Sequence, residues 1–456
     1  MRYLAILKDS FREARDSKVL LVLLGLSTLI VLFVATLSFK PLSAEKTMQQ
    51  FVPAGHGRHG LPMMTIALNN HKPEKLDAAR MARSMNAMNS FRLDQVDLIH
   101  GAEDDPQSTY ALTITQTQQA GDPAAAIRSL FQDAVDLDYL TIETLEALPA
   151  ADKSKEQQFR VTVQGSRRML RIWAARPSLF FGAIPLGEFS APLGFQLYFV
   201  TSLVLSIGAW IAVLVGVIIT SFFIPNMLRK GTVDLLLVKP IHRWALLIYK
   251  YLGGLMFILA STSYALVGIW LVLGIRTGVW VNWSLTLILT ITFFFAILYA
   301  VSTFIAVLTR STVTAIMVTI GAWFAFYVIG SAHQVFENQY RTEQERDKVR
   351  DEQRALRAQG VDEKNLEQIV PDNELRWGNG TPAKIVAVAH KVTPRTTDLN
   401  VLNDLIVYTD FMTGSVADMS KFNTAEIRWS ESLAVSMAWI AIFLGLACVW
   451  FSFKDY

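Results

Sequence analysis

Stretches of about 20 residues without a single charge recur along this chain, and that is the length a helix needs to cross roughly 30 Å of hydrocarbon. "VLLVLLGLSTLIVLFVATLSF" begins at Val19, and "GAWIAVLVGVIITSFFI" ends at Ile224. Charged residues make up only 18% of the 456 positions, against about a quarter in a soluble globular chain. The deficit is confined to these runs, and the mean hydropathy is +0.33. The sequence therefore specifies an integral membrane protein. A net charge of +3 is too small to argue for a nucleic-acid partner. Cys448, the one cysteine, has no partner for an intrachain disulfide.

The fold class expected is an α-helical polytopic membrane protein with six transmembrane helices. The spans are read at 19–39, 195–224, 246–275, 285–308, 313–331 and 433–453. Basic residues set the orientation, because short cytoplasmic segments carry an excess of Lys and Arg. Arg2, Lys8, Arg12, Arg15 and Lys18 precede the first span, Arg229, Lys230, Lys239 and Arg243 lie between the second and third, Arg310 follows the fourth, and Lys454 follows the last. Six crossings put all four groups on one side. That side is read as the cytoplasmic face of a bacterial plasma (inner) membrane, with both termini there. The first run is longer than a signal-peptide core and is read as a retained anchor. Residues 1–18 carry Leu4, Leu7, Phe11 and Ala14 at helical spacing, which suits an interfacial amphipathic helix; the alternative is a plain basic lead-in.

Two large parts then face outward. Residues 40–190 hold the runs "YALTITQ", "QFRVTVQ" and "MLRIWAA", read as strands with one buried face, and the helical stretches "DAARMARSMNAM" and "PAAAIRSLFQDAV". An α+β extracytoplasmic domain is expected there, with "SLFFGAIPLGEF" at the membrane surface. Residues 332–430 are expected to form a mainly helical extracytoplasmic region. It contains a charge-rich solvated helix, "ENQYRTEQERDKVRDEQRALRAQG", and short helices at "AKIVAVAH" and "DLNVLNDLIVY" packed over the spans.

No phosphate-binding G-x-x-x-x-G-K-[ST] loop is present. The chain is therefore read as not an enzyme. The spans hold no acidic residue, and Lys250, about one turn into the third, is read as snorkelling to the interface. Proton- or sodium-coupled carriers usually keep intramembrane carboxylates or histidines. Any work done on a substrate is thus expected to come from another chain.

One segment suits that role. In 225–243, "RKGTVDLLLVKPIHR" is cationic at both ends, apolar in the middle and broken by Pro240. Thr232 can cap a helix with Asp234 in its first turn, and Lys239 precedes the proline that disfavours its continuation. Leu235, Leu236 and Leu237 either insert into a groove on a partner or dip into lipid as a plain connector.

"FFIPNMLRKGTVDLLLVKPIHRWALLIYKYLGG" resembles the segment after the second span in type-2 ABC exporter permeases, the membrane subunits grouped with the permease of multicopper-enzyme maturation systems. Members carry "GT-x-x-LLL-x-x-P-x-x-R", and Gly231, Thr232, Leu235, Leu236, Leu237, Pro240 and Arg243 fill it. Where many members have an acid before the Gly-Thr pair, this chain has "NMLRK". "LAILKDSFREARDSKVLLVLLGLS" and "LYAVSTFIAVLTRSTVTAIMVTIGAWF" are similar to the family's lead-in and its fourth-to-fifth hairpin. The resemblance implies an exporter half built from a second permease subunit, identical or not, and cytoplasmic ABC ATPase subunits. ATP and Mg would be held by the ATPase, with no cofactor in this chain, and 232–238 would be the coupling helix. The rival implied is a non-transporting scaffold or mechanotransmitter acting on an extracytoplasmic protein partner.

Two further groups are weak candidates. Ser261, Thr262, Ser263 and Tyr264 in the third span line either a polar path or a helix contact. His56 and His59, near Met63 and Met64, have side chains that suit copper but make an incomplete site.

Overall fold

The computed structural model describes residues 19–52, 90–118, 122–149, 156–186, 191–205, 209–227, 242–358, 380–413 and 429–453. Among the described residues, four helices are long and apolar enough to cross a membrane: Arg243–Thr277, Trp283–Thr309, Thr312–Lys348 and Trp429–Phe453. Three shorter apolar helices accompany them, Leu21–Thr36, Leu193–Leu203 and Val213–Pro225.

In chain order, α1 (Val19–Thr36) leads into β1 (Ser38–Pro41) and a one-turn helix, α2 (Ala44–Met48). Then come β2 (Phe91–His100), β3 (Thr109–Gln116), α3 (Pro123–Asp136), β4 (Leu140–Leu148) and β5 (Gln158–Gly165). These strands form an antiparallel sheet ordered β2-β3-β5-β4. Tyr110, Leu112, Ile114, Phe159, Val161 and Val163 face a core that α3 closes with Ile127, Leu130 and Phe131. Ala111 and Thr115, on the other face, are buried as well. The expectation of strands with one buried face therefore fails for β3.

A second correction concerns "MLRIWAA". It begins as a short helix, α4 (Met169–Ile172), and only then becomes β6 (Ala174–Leu179). Met169 and Ile172 are both fully buried, and a three-residue recurrence is helical rather than alternating. β6 pairs antiparallel with β1, β7 (Ile184–Pro185) and β8 (Ala191–Pro192), making a small second sheet.

β8 runs directly into α5 (Leu193–Leu203), followed by α6 (Ala209–Thr220) and α7 (Phe223–Met227). Within the expected second span, 195–224, the described chain breaks between α6 and α7. The break between α6 and α7 coincides with Thr220 and Ser221, whose hydroxyls donate to the Gly216 and Val217 carbonyls; such back-bonding bends helices.

α8 (Arg243–Thr277) ends at Gly278, whose φ of 73° suits a residue without a Cβ. A 3-10 turn, Trp283–Thr286, opens α9 (Leu287–Thr309). α10 (Thr312–Ala358) runs on as 47 residues without a break. The helix passes position 331 unbroken, with no Gly or Pro after Gly330, so the fifth expected span and the charged helix after it are one element. Its charged part is laced by Arg341–Glu337 at 3.1 Å and Arg350–Asp347 at 3.5 Å. α11 (Thr381–Val392), α12 (Thr396–Met412) and α13 (Trp429–Phe453) complete the described chain.

The contacts fall into two groups, which mark two distinct ends of the bundle. At one end lie both sheets, the last turns of α1 and α8, the start of α9, and α12. There Arg171 of α4 donates to the carbonyl of Phe411 at 2.9 Å and to that of Trp280 at 3.3 Å. At the other end, Ile224, Met227, Leu246, Leu247, Ala306, Val307, Ala315, Ala447 and Phe451 make a separate apolar cluster.

Candidate functional site

Gly231, Thr232, Asp234, Leu235, Leu236, Leu237, Lys239 and Pro240 lie outside the described residues. The chain on either side of them is described. Met227, the last residue of α7, and Leu246 and Leu247, in the first turn of α8, pack in the same apolar cluster. Both ends of the 228–241 segment are therefore tied to the end of the bundle opposite the sheets. Arg243 opens α8, where the Leu246 N–H donates to the His242 carbonyl at 3.2 Å. His242 stacks on Trp244, with 6.1 Å between ring centroids, and half of Trp244 is exposed. Arg310, in the turn between α9 and α10, has a φ of 55° and lies at the same end.

The third-span hydroxyls do not converge on one line. Ser261 and Ser27 of α1 are hydrogen-bonded at 3.3 Å, and Tyr264 meets Thr28 of α1 at 3.1 Å. Thr262 donates to the Ile258 carbonyl at 2.8 Å and lies 3.5 Å from Thr292 of α9. Three of the four thus sit where α8 meets α1 and α9; Ser263 makes no such contact with another helix among the described residues. Lys250 does not reach out as expected: it is 5% exposed, inside the bundle. His56 and His59 lie outside the described residues.

Sequence reasoning missed three aspartates of α12. Asp398 accepts from Ser432 of α13 and lies 3.8 Å from His390 of α11. Asp404 accepts from Tyr198 at 3.0 Å and from Ser202 at 3.2 Å, both on α5. Asp410 accepts from the Ser284 N–H at 2.8 Å, at the mouth of α9. Burial holds the Asp410 carboxyl above its ordinary range, against the Ser284 donor and the nearby Arg171, which pull it down. Burial likewise lowers the Arg171 guanidinium from its ordinary value, while Asp410 opposes that shift. No sequence signal singles these positions out, since the Thr and Asn residues of α12 make it polar along much of its length.

α12 also touches the large sheet. The Tyr139 hydroxyl, just before β4, donates to the Met412 carbonyl at 2.7 Å. Leu405, Tyr408 and Met412 belong to the same core as β3, β5 and α3. One helix therefore joins the sheet region, the mouth of α9, α5 and α13.

The two ends offer different chemistry. The sheet end is a network of buried polar contacts, and the opposite end is an apolar cluster from which a short basic and apolar segment departs. A comparison with curated proteins and one with solved structures each returned no match. The family model described as ABC-2 family transporter protein matches residues 4–456. Multiple apolar helices and a match over nearly its whole length make this chain a membrane permease protein of the ABC-2 transporter family.

Proposed function

We propose that this chain is the membrane subunit of an ATP-driven exporter, moved by a separate cytoplasmic ABC ATPase that docks on residues 232–238. One observation carries the reading: the described chain on both sides of that segment is anchored in one apolar cluster, at the end of the bundle farthest from both sheets. A push on the segment reaches α7 and α8 together, and α8 leads to the mouth of α9 and hence to α12. In this reading α1 and the α5–α7 unit complete six crossings, and the termini and the 225–243 segment are cytoplasmic in a bacterial plasma membrane. The sheets and the outer part of α10 are extracytoplasmic. A second permease subunit, identical or related, supplies the other half of the pathway. ATP and Mg belong to the ATPase, and this chain contributes no catalytic group. The likeness of 229–243 to the multicopper-enzyme-maturation permeases supports placing the chain near that group.

The test is copurification. An ATPase subunit should accompany the wild-type chain from solubilised membranes and be lost with Leu236→Asp, while membrane insertion is unchanged. Retention of the ATPase by Leu236→Asp would remove the docking assignment.

A second reading has its own support. The bond from Tyr139 to Met412 and the shared core make a mechanical link from α12 to the large sheet, as a mechanotransmitter acting on an extracytoplasmic partner requires. Reconstitution separates the two: a transporter moves a solute or lipid when ATP is added, and a mechanotransmitter hydrolyses ATP with its partner and moves neither.

A further inference from the structure

The small sheet sits where the spans leave the membrane. β1 starts two residues beyond the end of α1, and β8 continues directly into α5. Arg276, in the last turn of α8, donates to the Ala35 carbonyl in the last turn of α1 and lies 4.8 Å over the Phe181 ring. The tip of the β6–β7 hairpin is thereby fixed at the depth of two helix ends.

That tip is apolar, exposed and held in a costly backbone conformation. Phe180 is 57% and Phe181 69% exposed. Their φ values are 49° and 59°, followed by 99° at Gly182. Left-handed backbone is unfavourable for side chains with a Cβ, and both rings stay more than half exposed, with Arg276 over that of Phe181. Phe33 of α1 and Ile275 of α8, near the ends of their helices, are exposed as well.

Further along the same two strands, Lys40 of β1 and Arg176 of β6 are directly opposite in register. Like charges so placed repel. Neither has an ion pair among the described residues, and the Arg176 Nε is buried without a hydrogen-bond acceptor. A planar guanidinium beside an ammonium suits a phosphate.

Resting on the reading of the helices as membrane spans, we propose that this sheet is a docking collar for anionic phospholipid in the leaflet on the sheet side. Lys40 and Arg176 hold the headgroup phosphate, and the Phe180–Phe181 tip inserts among the upper acyl chains. The tip at the end of the same strand places the sheet at the bilayer boundary, so lipid rather than soluble phosphate is the occupant.

The test uses the full chain in liposomes, with Cys448→Ser and a fluorophore on Ile184→Cys, which leaves the tip intact. Lipids brominated near the headgroup should quench this label, and a label on Phe33→Cys reports whether the spans insert at all. A quenched Phe33 position with an unquenched Ile184 position overturns the collar alone; loss of both overturns the spans. In mass spectra of the detergent-purified protein, Lys40→Gln with Arg176→Gln should reduce enrichment of bound anionic lipid by roughly tenfold, with an unaltered melting temperature. Unchanged enrichment, or displacement of the lipid by inorganic phosphate, contradicts the assignment.

Discussion

The Ser284 N–H donates to the Asp410 carboxylate at 2.8 Å, and the Ser284 hydroxyl donates to the same oxygen at 3.2 Å. The two residues bring the last turn of α12 to the mouth of α9 from 126 positions apart.

Asp410→Ala leaves the buried Ser284 N–H without its acceptor and should lower stability by about 1–3 kcal/mol. The pH dependence gives a sharper check. Because burial raises the Asp410 carboxyl in the folded state, the native protein binds that proton more tightly than the unfolded chain. The resulting stabilisation is full below the ordinary carboxylate value and is lost as pH rises through the raised one. Asp410→Asn is neutral throughout and should remove that loss, seen as a flatter plot of melting temperature against pH.

His390, beside the first turn of α12, titrates with the opposite sign. His390 of α11 stacks on His333 of α10 with ring centroids 3.9 Å apart. Burial, with His333 and Arg395 adding to it and Asp398 opposing, lowers His390 to about 4. The unfolded chain therefore takes up this proton first, near the ordinary value of about 6.5. Stability from this group is full above that value and falls as pH drops toward about 4. His390→Gln should blunt the acid-side loss of melting temperature, measured against wild type in the same detergent.

Gly254 on α8 faces Tyr299 on α9, and a Cβ there would fall 2.6 Å from the ring. Gly254→Ala should cost about 1–3 kcal/mol by overpacking. Tyr299→Leu in the same chain should recover part of it, since the smaller side chain vacates the ring position. Thermal melts of the two single variants and the double variant, read as a double-mutant cycle, check this.

How far the sequence could be read follows from where the information lies. The spans at α8, α9 and α13 were legible because long uncharged runs have one stable use. Strands β3 and β5 and helix α3 were legible from local periodicity. The broken second span was not, since the break follows from hydroxyl-to-carbonyl bonds at Thr220 and Ser221 inside an apolar run. The role of α12 was not legible either. Asp398, Asp404 and Asp410 are six apart, and each step of six turns a helix by about 240°. The three carboxylates therefore face three different neighbours, and Tyr198, for one, lies 206 positions from its partner Asp404. A polar stripe would have been visible; three separate ties are visible only in the fold.

The claim on which the account rests is that the segment around Thr232 and the large sheet open to opposite faces of the membrane, with Thr232 on the side that holds ATP. Thr232→Cys and Thr141→Cys, each in a Cys448→Ser chain, place a single thiol at either end. A membrane-impermeant maleimide applied to spheroplasts and to inverted vesicles reads their sides. The account predicts that Thr232→Cys reacts only in inverted vesicles and Thr141→Cys only in spheroplasts. Reaction of both from the same face would contradict it.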